Sequence, residues 1–111
     1  MGTLLVAFES KELRMVCENQ ELADEKFGAI VSGNLQDRLG DLMAATCIHD
    51  ILLGNPRQTL IGTVMGYKIE LSNAYVLSII PGHLKPPLNE EGKTDWNKVT
   101  RVKIISIEQE K

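Results

Sequence analysis

The first apolar run, Thr3-Leu4-Leu5-Val6-Ala7-Phe8, is short, unbroken and holds β-branched and aromatic side chains. That is the pattern of a strand buried on both faces, hence central in its sheet. Ser10 follows as an N-cap, and Leu13, Val16 and Cys17 recur at three- and four-residue spacing, which predicts a short helix ending near Asn19. Glu21, Asp24 and Glu25 then place negative charge in the first turns of a second helix, where the helix dipole favours it. Phe27, Ile30, Val31, Leu35, Leu39, Leu42 and Met43 keep helical period to about Ala45, with Ser32, Gln36 and Asp37 on other faces. Inside this long amphipathic helix Gly28, Gly33 and Gly40 each cost roughly 1 kcal/mol relative to Ala, so they point to close packing or to a local break.

Thr46 to Leu53 reads as a connector with one helical turn, closed by the turn signal Gly54-Asn55-Pro56. The period then becomes two. Tyr67, Ile69 and Leu71 alternate with Lys68 and Glu70, Ser72-Asn73-Ala74 interrupts, and Tyr75, Leu77 and Ile79 resume, which predicts a β-hairpin. Pro81 to Lys98, with Pro86, Pro87 and Gly92, is too long and polar for a hairpin turn and reads as a structured loop or an insertion. Val102, Ile104, Ile105 and Ile107 form a last strand, with Arg101 and Lys103 on one face at its start and a charged, frayed tail from Glu108 to Lys111. This order predicts an α+β fold: an N-terminal strand, two helices, a hairpin and a final strand, making a mostly antiparallel sheet with both helices on one face.

A chain of 111 residues suits a single domain spanning 1–111, and 43% apolar with 24% charged residues is ordinary for a globular protein. No apolar run approaches the roughly 18 residues of a membrane span, and Met1 to Phe8 lacks the basic start and long apolar middle of a signal peptide, so a cytoplasmic location is expected. Cys17 and Cys47 form no Cys-x-x-Cys pair and are expected as reduced thiols packing as small hydrophobes. Phosphate-loop, metal-ligand and serine-triad patterns are missing, so neither cofactor nor metal is expected and most conventional enzyme classes fall away. A net charge of −3 rules out a molecule that is basic as a whole, and any role on RNA must rest on a local patch.

Three features carry a family resemblance. Ala44-Ala45-Thr46 ends the long helix, a Gly-Asn-Pro-Arg turn follows, and Tyr67-Lys68-Ile69-Glu70-Leu71-Ser72-Asn73 opens a hairpin. In this order they resemble the RelE/ParE toxin superfamily of bacterial toxin-antitoxin systems, and the HigB-like, or killer-protein, branch in particular. Pro86-Pro87 followed by Thr94-Asp95-Trp96-Asn97-Lys98-Val99-Thr100-Arg101-Val102-Lys103-Ile104 is similar to a variant set within that branch. The resemblance implies a RelE-like fold and a toxin neutralised by a helix-turn-helix antitoxin. For many members it also implies cleavage of mRNA on the ribosome, with basic residues on the sheet face stabilising charge on the scissile phosphate. The match departs at the chemistry. Glu70 and Val76 stand where ribonuclease members carry arginines, Ile61 stands near a frequent lysine, and the Asp-Tyr-His ending is replaced by Ile107-Glu108-Gln109-Glu110-Lys111.

The residues left for catalysis are Lys68, His83, Arg101 and Lys103, with Arg57 and Lys85 for RNA binding. Arg101 and Lys103, two apart on a strand, share a face and make either a positive stripe or a solvated edge that discourages aggregation. His83, in the long loop, has the chemistry of a general acid or base, or is a surface histidine without a role. Trp96 either pins its loop onto the sheet or stacks on a partner. Two functions therefore stand side by side: a ribosome-dependent endoribonuclease toxin, and a non-catalytic protein of the same fold acting through partner binding, as a gyrase-type inhibitor or a degenerate toxin. The discriminating feature is the polarity of the sheet's outer face.

Overall fold

A computed structural model describes residues 3–110. The chain forms β1 (Leu5–Phe8), α1 (Lys11–Glu18), α2 (Gln20–Phe27), α3 (Ala29–Ala44), a single 3-10 turn (Ile48–Asp50), β2 (Arg57–Ile61), β3 (Val64–Glu70), β4 (Tyr75–Pro81) and β5 (Arg101–Gln109). The strands join in one sheet of order β1-β5-β4-β3-β2, in which β1 runs parallel to β5 and every other neighbour is antiparallel. It is an α+β fold with a mixed, mostly antiparallel sheet.

The caps explain the helix boundaries. Ser10 Oγ accepts from Leu13 N, and Asn19, which ends α1, starts α2 by accepting from Leu22 N through its side chain. The expected long helix is broken at Gly28, whose φ of +88° closes α2 and opens α3. Only glycine takes this conformation without strain, so the local break is the correct one of the two readings there. Gly33 and Gly40 mark neither, because a Cβ at either position would meet nothing within 4 Å.

One apolar cluster joins the helices to one face of the sheet. Leu35, Leu39 and Leu42 of α3, Cys17 of α1 and Ala23 of α2 pack with Tyr67, Ile69, Leu77, Ile79, Val102 and Ile104. Period two sends Lys68, Glu70, Val76 and Ser78 to the other face, which no helix covers. Asn34 Nδ2 donates to Leu71 O and Ser72 Oγ, tying α3 to the β3–β4 turn. Gln36 Nε2 donates to Cys17 O, tying α3 to α1.

Two sequence readings need correction. The first strand is an edge strand, paired only with β5, and its residues alternate between exposed and half-buried. Although the run is apolar, Leu5, 60% exposed, and Ala7 face solvent. Second, Arg57–Ile61 is a strand where no strand was expected, joined to β3 through Gly62-Thr63 with Gly62 at φ +64°. The expected hairpin is therefore the second half of a three-stranded meander. The loop after β4 is structured: Leu88 and Thr94 form a bridge, Asp95 N donates to Pro87 O, and Trp96 and Val99 are buried in the core cluster. Among the described residues no helix is long and apolar enough to cross a membrane.

Candidate functional site

The uncovered sheet face carries four of the residues that sequence reasoning singled out, Arg57, Lys68, Arg101 and Lys103, and register fixes their positions; His83 and Lys85 lie in the loop after β4. Lys68 lies opposite Arg57 on β2 and Ser78 on β4, and Ser78 in turn lies opposite Ser106 on β5. Lys103 lies opposite Ile80 on β4 and Ala7 on β1, while Arg101 pairs with Leu5 at the start of β5. Lys68 and Lys103 are thus separated by the whole width of β4 and offset along the sheet. Arg57 and Lys68 are brought together; Arg101 and Lys103 are neighbours on another strand. One constellation of all six residues does not form.

Carboxylates take up most of this positive charge. Glu110 forms ion pairs with Lys68 Nζ and with Arg57 Nη2, the latter at 3.5 Å. Arg57 Nη1 also reaches Glu70 Oε2 at 2.9 Å, and Asn55 Nδ2 donates to the same oxygen at 3.0 Å. Lys103 Nζ is 3.1 Å from Glu9 Oε2. Two cations and two carboxylates at the β2–β3 end cancel, and Lys103 is balanced one to one. Arg101 and Lys85 are exposed and form no ion pair among the described residues.

His83 is turned inward, toward the backbone. Its Nε2 accepts from Thr100 N at 3.0 Å and Arg101 N at 3.3 Å, fastening the start of the long loop to the start of β5. A ring nitrogen that already accepts two amide protons is not free to receive one from a substrate hydroxyl. The residue's role in this arrangement is to hold the loop and the Arg101 backbone in place.

Of the two carboxylates that sequence reasoning set against this surface, Glu70 and Glu108, only Glu70 forms an ion pair among the described residues, and Glu9 and Glu110 were missed as partners. The tail was expected to fray, yet β5 continues to Gln109, and Glu110 N donates to Ala74 O at 2.8 Å. A signal was present: carrying period two through Ile107-Glu108-Gln109-Glu110 places Glu108 and Glu110 on the same face as Lys68. Glu70, Val76 and Glu108 form one cross-strand row. The outer face is thus acidic at both ends of this row and apolar at its centre.

Elsewhere, burial together with Glu18 pushes the Cys17 thiol up to about 11, so it stays protonated and packs as an apolar group. Burial likewise raises the Tyr67 phenol. The Asp50 carboxyl is lowered, chiefly by the Thr46 amide and also by the Thr46 hydroxyl, both of which donate to its Oδ2. No protein-family model matches this sequence, and comparison with curated proteins and with solved structures finds no match.

Proposed function

We propose that the chain is a RelE/ParE-type, HigB-like toxin-antitoxin protein whose molecular act is to bind protein partners rather than to cut RNA. The observation that carries the second half of this reading is the charge pairing on the uncovered sheet face. Arg57 and Lys68 are closed by Glu70 and Glu110, and Lys103 is closed by Glu9. Cleaving a phosphodiester needs cations aimed at the phosphate as charge builds, a contribution of several kcal/mol that neutralised cations do not make. The family half of the reading rests on the sequence resemblance, and the order strand, helices, meander and closing strand agrees with it. The expected partner is a helix-turn-helix antitoxin made alongside it in a bacterial cytoplasm.

The ribosome-dependent endoribonuclease is the second reading. It is favoured by one specific feature, the exposed Arg101 at the start of β5, held to the long loop through Gly82 and His83 and without an ion pair among the described residues. Tightly induced expression of the chain alone, with growth and amino-acid incorporation followed together, tests the proposal. It expects growth arrest relieved by the partner protein, with no new mRNA ends when the purified chain meets translating ribosomes. Ribosome-dependent mRNA cuts that vanish in Arg101→Ala would sink the binding-only reading, and normal growth at high soluble expression would sink the toxin reading.

A further inference from the structure

Two adjacent leucines after the 3-10 turn are left in solvent, Leu52 at 85% exposure and Leu53 at 61%. Their segment is fixed all the same. Asp50 grips Thr46 through both amide and hydroxyl on one side, and Gly54 O accepts from Glu70 N at 2.6 Å on the other. Leu52 and Leu53 line an open groove of about 520 Å³ together with Ala44, Ala45, Asp41 and Asp50. Two ordered, exposed leucines beside a concave apolar wall cost free energy in water unless something covers them.

Charge selects the occupant. From Ser10 to Leu53 there are eight acidic and four basic residues, a net of −4 against −3 for the entire chain. Asp37, exposed one turn before Asp41 on α3, extends the acidic rim. Arg38 Nε lies 2.9 Å from Asp41 Oδ2 but off its N–H direction, so it offsets only one of these charges. A second copy of the chain would bring the same carboxylates face to face, and an anionic lipid surface would be repelled in the same way. The groove lies between a helix end and a connector and offers no strand edge, so a bound segment must satisfy its own backbone hydrogen bonds, as a helix does.

We infer that this groove docks an amphipathic helical segment of a partner protein, its leucine-type side chains against Leu52, Leu53 and Ala44 and its lysines or arginines against Asp37, Asp41 and Asp50. The inference rests on the reading that the chain acts by binding protein, and it names the surface and the chemistry of the segment.

The probe is a synthetic helix of about 14 residues with leucines at i, i+3, i+4 and i+7 and lysines elsewhere. It is titrated into the full chain and followed by amide chemical shifts and fluorescence anisotropy. Shifts should centre on Asp41 to Leu53, and added salt should weaken binding. Leu53→Glu and Asp37→Lys should each weaken it about tenfold or more, whereas Leu84→Glu, at a fully exposed leucine in the long loop, should leave it unchanged. All three positions are exposed, so melting curves should match the wild type. The inference is overturned by shifts elsewhere, by equal binding of a peptide with glutamates in place of the lysines, or by no binding up to about 1 mM. It is equally overturned if sedimentation shows self-association of the chain that Leu53→Glu abolishes. Peptide docking at this groove without growth arrest removes the toxin reading and leaves the surface standing, while arrest without docking removes the surface alone.

Discussion

The indole of Trp96 stands edge-on to the ring of Tyr67, with centroids 4.8 Å apart and planes at 89°. Both side chains are buried, so the long loop after β4 is fastened to the helix-side face of the sheet by an aromatic pair worth about 0.5–1.5 kcal/mol beyond its burial. Of the two roles open to Trp96 from sequence, pinning accounts for its surroundings. Trp96→Ala should cost about 3–5 kcal/mol in urea unfolding followed by circular dichroism. Trp96→Phe should cost much less, because the buried indole N–H has no hydrogen-bond partner among the described residues and its removal leaves nothing newly unsatisfied. Equal costs for the two variants would mean that the loop is not held through this ring.

The ion pairs on the opposite face lead to a second prediction. Glu110→Gln removes the carboxylate shared by Lys68 and Arg57. Its stability cost should be below about 1 kcal/mol, since the pairs are partly exposed. Its effect on polyanions should be larger: retention on heparin and binding of single-stranded RNA should rise, with a salt dependence steeper by about one unit per cation released. Glu108→Gln makes the same change in net charge on the same face and is the control, because Glu108 has no ion pair among the described residues. If both variants shift retention equally, net charge is responsible and the pairing is irrelevant.

The glycines divide into opposite predictions. Gly66 sits on β3 where an added Cβ would overlap the Ile79 carbonyl and come within 2.8 Å of Ile61 Cγ1, so Gly66→Ala should destabilise by about 1–3 kcal/mol through overpacking. Gly40, mid-helix with nothing within 4 Å of that position, should gain roughly 1 kcal/mol as Ala from helix propensity alone. Melting temperatures of the two single variants check both signs, and two shifts in one direction would contradict the packing described.

How far the sequence could be read follows from which forces were local. The first two helix starts were legible because their signals are local: Ser10 caps through a hydrogen bond three residues away, and Glu21 puts negative charge in the first turn of α2. The β3–β4 hairpin was legible because alternation and a turn are local patterns too. Two other features depend on remote partners. Leu5 and Ala7 read as core because they are apolar, and only the strand order puts β1 at an edge. Arg57-Gln58-Thr59-Leu60-Ile61 has weak alternation, and it becomes a strand because Gly62 turns it back onto β3. At the candidate site the basic residues were visible one by one. The part of Glu110 in neutralising them was not, because Glu110 and Arg57 are 53 positions apart in the chain.

Asp50 provides a prediction in pH. Its Oδ2 accepts from Thr46 N at 2.9 Å and Thr46 Oγ1 at 2.8 Å, two donors that favour the ionised form and hold its carboxyl below the ordinary aspartate value of 3.8. A group whose pKa is lower folded than unfolded contributes stability above the unfolded value, and loses it as pH falls through the folded one. Wild type should therefore melt above Asp50→Ala at neutral pH. The gap should hold down to about pH 4 and close in more acid solution, where the wild-type carboxyl takes up its proton. Because Asp50 fixes the segment that carries Leu52 and Leu53, the variant should also weaken binding of the lysine-rich helix at neutral pH by more than the loss of one rim charge in Asp37→Asn. A stability gap that widens in acid would mean that the Thr46 contacts do not favour the carboxylate, and the connector would then need another anchor.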